Sequence, residues 1–132
     1  MINHTSFASS DDLLANNNQC LLYLESTSWK LIRDDLPEIF RKENDPVELA
    51  LAEGDVFIDF LIKKVGEELA ELSNVSTQTE SEEEMADLIE VILALQKHLG
   101  LDPEVVEQVR LKKRAKKGGF ERGVLMKLPS KN

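Results

Sequence analysis

Between Asp55 and Leu99, apolar residues recur at spacings of three and four. Ile58, Leu61, Val65 and Leu72 form one series, and Leu88, Val91 and Leu95 form another. That spacing follows the 3.6-residue helical turn, so each series lines one face of a helix. No segment alternates apolar and polar residues as a half-buried strand does, which directs the chain to an all-α fold. The first long helix is expected over Asp55 to Ser73 and the second over Glu80 to Leu99, with the polar Asn74–Thr79 stretch between them and Gly100 as a stop. Asp102-Pro103-Glu104 predicts the start of a third helix: Asp caps, Pro takes the first position and Glu favours the dipole. It carries Val105, Val106, Val109 and Leu111 and ends at Gly118-Gly119. A short helix over Leu36–Phe40 and a further turn from Asp45-Pro46 to Glu53-Gly54 precede the pair. Helices joined by short loops pack as antiparallel neighbours, so a helical bundle follows. So few residues leave Phe57, Phe60, Ile62 and Ile92 without full cover, which predicts a bundle completed by oligomerisation, with a dimer as the minimum.

Composition limits the rest. At 132 residues the chain has room for one core. Residues 1–27, rich in Ser, Asn and Asp, read as a partly disordered N-terminal extension whose apolar patch, Cys20–Leu24, docks on the core or on a partner chain. The domain proper is expected over 28–128. No apolar run reaches the ~20 residues of a membrane span, and no signal-peptide pattern opens the chain. A single Cys20 fits a reducing cytoplasm. The net charge of −9 argues against binding a nucleic-acid polymer. The charge is uneven, with acids crowded over Glu67–Glu90 and Lys112, Lys113, Arg114, Lys116 and Lys117 forming a basic stretch.

The position of four acids is unusual. Continuing the first stripe beyond Val65 puts Glu68 in a core slot, and extending the second backwards from Leu88 puts Glu84 in another. Glu71 and Asp87 follow three residues on, along the same faces. Facing carboxylates in a helix interface repel one another, and each is costly to bury unpaired. Lys64 is the one obvious cation on this face. An all-oxygen set suits a hard divalent ion, Mg²⁺ or Mn²⁺, whereas neither His nor Cys is near enough to suggest zinc. Solvated helix faces are the plain alternative, and a Ser81-x-x-Glu84 capping box would give Glu84 a purely structural role. Thr79-x-x-Glu82 fits the same box and would leave Glu84 free. His98 continues the second stripe at a helix end, the place of a cap or packing residue.

Glu67-Glu68-x-x-Glu71, a connector and Glu84-x-x-Asp87 together resemble the paired-acid signature of the all-α nucleoside triphosphate pyrophosphohydrolases, the MazG-like superfamily. Lys30-Leu31-Ile32-Arg33-Asp34-Asp35-Leu36-Pro37 resembles the opening Lys-Leu-Val-Arg-Asp-Lys-Ile-Pro segment of its phosphoribosyl-ATP pyrophosphohydrolase-like subgroup. Lys117-Gly118-Gly119-Phe120-Glu121-Arg122-Gly123 resembles the closing Arg-Gly-Gly-Phe segment. The resemblance covers roughly Trp29 to Met126. Asp35 departs from the subgroup's usual Lys, and Gly66 interrupts a helix beside the acids.

The resemblance implies Mg²⁺-dependent hydrolysis of a nucleotide between its α- and β-phosphates, with Mn²⁺ as a substitute ion. Glu68, Glu71, Glu84 and Asp87 are the implied metal ligands and Glu67 the candidate general base. Lys30, Arg33, Lys64, Lys113, Arg114 and Lys117 are candidate phosphate contacts. Two alternatives stay open: a phosphoribosyl-ATP pyrophosphohydrolase of histidine synthesis, and a helical interaction module without catalysis.

Overall fold

The computed structural model describes residues 28–130, and the extension expected over 1–27 lies outside them. The described residues contain four helices and no strand: α1 (Leu36–Lys42), α2 (Gly54–Asn74), α3 (Gln78–His98) and α4 (Pro103–Lys117). None of these helices is long and apolar enough to cross a membrane. The chain divides into two compact units, one up to Leu99 and one from Gly100 onward.

The first unit is built on a hairpin of α2 against α3. Three residues, Val75–Thr77, join them, so the two helices run antiparallel. Helix α3 begins two residues earlier than expected because Thr77 is the cap. Its hydroxyl accepts from the Glu80 amide at 3.1 Å and meets the Glu80 carboxylate at 2.9 Å. Both sequence-proposed boxes, at Thr79 and Ser81, therefore fall inside the helix, and Glu84 has no capping duty. Helix α3 ends before Gly100, whose φ of +72° is a left-handed conformation that Gly adopts without a Cβ penalty.

The buried apolar residues are Val56, Phe60 and Leu61 on α2 and Leu88 on α3. Trp29, Leu31, Ala50 and Ala52 pack on Val56 and Phe60. Phe60, expected to lack cover, is thus enclosed by segments on either side of α1. The further turn expected after Asp45-Pro46 does not form as a helix, and residues 45–53 run as a connecting segment that delivers Ala50 and Ala52 to this cluster. Ile62 and Ile92 remain about half exposed, as do Leu69, Met85, Ile89 and Leu93 on the same hairpin.

In the second unit, α4 starts where Asp102-Pro103 predicts. The Asp102 carboxylate accepts from the Glu104 amide at 2.9 Å. Gly118, at φ +84°, terminates it. Arg114 pairs with Glu121 across that end.

Candidate metal centre

Glu68 lies on the inner face of α2, as the stripe through Leu61 and Val65 requires, and is only 6% exposed. Helix α3 brings Glu84 and Asp87 to it, both half-buried. One carboxylate oxygen from each of the three lies within 4.8 Å of the others. These three acids come from two core-facing slots and one neighbour, and only the packing of α2 on α3 joins them. Glu71 is exposed and stands outside this group. It remains close enough to act electrostatically on Glu84 and on Lys30.

The Glu84 carboxyl is pushed above the usual range. Desolvation contributes most, followed by the charges of Glu68, Asp87 and Glu71. A site that resists holding all its negative charge is one that a cation stabilises. The donors are carboxylate oxygens alone, on two facing helices, with one of them buried. That set could hold a metal ion, and its all-oxygen donors are of the hard kind.

Three side-chain cations already converge here. Lys64 lies 3.2 Å from Glu68 and 3.1 Å from Glu67. Lys30 reaches Glu67 at 3.0 Å, and Arg33 donates to Asp87 at 2.6 Å. Lys64 was legible from helix spacing. The other two arrive because the segment before α1 crosses the hairpin, which no local periodicity reveals. Their pairings bear on the expected roles. Partial burial tends to raise the Glu67 carboxyl, but the ammonium groups of Lys30 and Lys64 outweigh it and hold that carboxyl below its usual range. Glu67 therefore anchors both lysines beside the acids. Lys113, Arg114 and Lys117 all lie in the second unit, on α4.

A groove of about 890 Å³ opens along the hairpin seam. Arg33, Lys64, Glu68 and Asp87 line its charged end. Leu36, Ile39 and Phe40 of α1, with Phe57, Ala94 and His98, line it as well, as do the charged Lys30, Asp34, Asp35 and Glu90. The rings of Phe57 and His98 meet there at a centroid distance of 4.4 Å, so His98 is a packing residue that also faces the groove. The sequence marks Phe57 only as an apolar residue without full cover, which carries no signal for a site.

Comparison of the chain with protein-family models, curated proteins and solved structures finds no match.

Proposed function

We propose that the chain is a Mg²⁺-dependent nucleotide pyrophosphohydrolase with a MazG-like helical fold, active as a homo-oligomer. The observation that carries this reading is the trio Glu68, Glu84 and Asp87, whose carboxylates lie within 4.8 Å of one another across two antiparallel helices. Glu71, one turn along α2, is the proposed fourth ligand. A divalent ion bound there would supply charge neutralisation for phosphate oxygens and a lowered pKa for an attacking water.

The chain's own residues do the rest. Glu68, fixed by burial and by Lys64, sets the position of the acidic end relative to the groove. Arg33 and Lys30 stand at the mouth of that end on exposed side chains, able to leave Asp87 and Glu67 for an incoming polyphosphate. Phosphoryl transfer depends mainly on such positioning and charge stabilisation. The bond selected, between the α- and β-phosphates, rests on the sequence resemblance. Oligomerisation is supported by the half-exposed Ile62, Leu69, Met85, Ile89 and Ile92, an apolar surface that one chain leaves open.

The test is a panel of nucleoside triphosphates and phosphoribosyl-ATP with Mg²⁺, read by direct detection of pyrophosphate. Pyrophosphate and a monophosphate in equal amounts are expected. Direct release of orthophosphate and a diphosphate overturns the assignment.

One observation favours a second reading. Arg33 and Lys64 already neutralise part of the acidic cluster, which suits a helical interaction module without catalysis. That reading expects the melting temperature to ignore millimolar Mg²⁺.

A further inference from the structure

The groove has two chemically different ends, and both are fixed by the same helix pair. At one end Glu68 of α2 meets Asp87 of α3; at the other Phe57 of α2 meets His98 of α3. By the helical rise these ends lie about three turns, roughly 16 Å, apart along each helix. A ligand that spans the groove meets the carboxylate pair at one end and two rings at the other, with Asp34, Asp35 and Glu90 also along the lining.

We infer that Phe57 and His98 form the seat of the nucleobase, placing a planar heterocycle at the end of the groove remote from the carboxylates. The inference rests on the proposed nucleotide reading and adds where specificity resides. Phe57 contacts the His98 imidazole at a tilt of 50°, while His98 as a residue stays exposed and lines the groove. An accessible flat ring beside aliphatic side chains is a surface on which heterocycles stack. The imidazole nitrogens can also hydrogen-bond, so the seat can read a base edge as well as its face. Ala94, one turn before His98, lines the same stretch, where a larger side chain would fill the space a base needs. Leu36 and Ile39 of α1 complete the apolar wall.

The test separates the base from the phosphates. The probes are a non-hydrolysable α,β-methylene nucleoside triphosphate and inorganic tripolyphosphate, each with Mg²⁺. The imidazole resonance of His98, identified by its loss in His98→Ala, should shift with the nucleotide analogue and stay in place with tripolyphosphate. Ala94→Leu should weaken the analogue on the order of tenfold, the scale of a lost stacking contact, and leave tripolyphosphate affinity unchanged. An unmoved His98 resonance with bound analogue, or equal weakening of both probes by Ala94→Leu, overturns the inference. If the base-dependent shift appears but the products are a diphosphate and orthophosphate, the seat stands and the pyrophosphohydrolase assignment fails. If pyrophosphate is released while His98 ignores the analogue, the assignment stands and the seat fails.

Discussion

Lys64→Met gives the sharpest view of how the acidic end is held together. The substitution keeps the aliphatic stem and removes the ammonium that lies 3.2 Å from Glu68. Both side chains are mostly buried, at 15% and 8% exposure, so the pair is not the solvent-screened kind that contributes under ~1 kcal/mol. At an effective dielectric of about 20, the gross attraction across 3.2 Å is about 5 kcal/mol. Opposing it are the cost of desolvating both ions and the nearby carboxylates of Glu84 and Asp87. Removing the cation leaves those costs on Glu68 uncompensated, and a loss of about 3–5 kcal/mol is expected in metal-free protein. Urea unfolding in EDTA measures it. Lys64→Met/Glu68→Leu should recover most of the loss, because the stranded charge is gone. Mg²⁺ should also raise the variant's own stability, by about 2.7 kcal/mol at a hundredfold excess over its dissociation constant. A loss in EDTA below about 1 kcal/mol would refute the buried-pair argument. A variant no more stable at saturating Mg²⁺ than in EDTA would refute binding of the ion at these acids.

Three further predictions follow from the same geometry. Glu84→Gln and Asp87→Asn should each lower turnover on the order of a hundredfold with little change in the Michaelis constant, because they weaken the hold on the ion whose positive charge would stabilise the transition state; steady-state pyrophosphate release measures both. The Glu84 carboxyl is raised by desolvation and then by Glu68, Asp87 and Glu71, so its folded pKa exceeds the unfolded value. Its stabilising contribution in metal-free protein is full below the ordinary carboxylate pKa and is lost as pH rises through the raised folded value. Because an ion must displace that proton, stabilisation by Mg²⁺ should grow over the same rise in pH, as melting curves with Mg²⁺ and with EDTA will register. Light scattering at micromolar concentration should find at least a dimer, and Ile89→Glu should shift it towards monomer by placing a charge on the half-exposed apolar surface of α3.

The local elements were largely legible from residue order. Helix period, Asp102-Pro103 and the stopping glycines are short-range signals, and the helices they predicted begin and end within about two residues of those expected. The miss at the start of α3 has a local cause as well: Thr77, two residues ahead of the first of the boxes read at Thr79 and Ser81, takes the cap. Stripe arithmetic also placed Glu68 and Glu84 inward, because a helix carries every third or fourth residue to one side whatever its chemistry. Other features depended on contacts between distant segments. Periodicity does not say that Arg33 would cross to Asp87, that Lys30 would join Lys64 on Glu67, or that Phe60 would be covered by Trp29 and Ala50. Those contacts come from non-helical segments, whose path has no period to read. Glu71 shows the remaining limit. It shares a helix face with Glu68, but the packing of α2 on α3 brings only Glu68, Glu84 and Asp87 within 4.8 Å. Spacing along a helix sets the direction of a side chain; the distance between helices decides which oxygens meet.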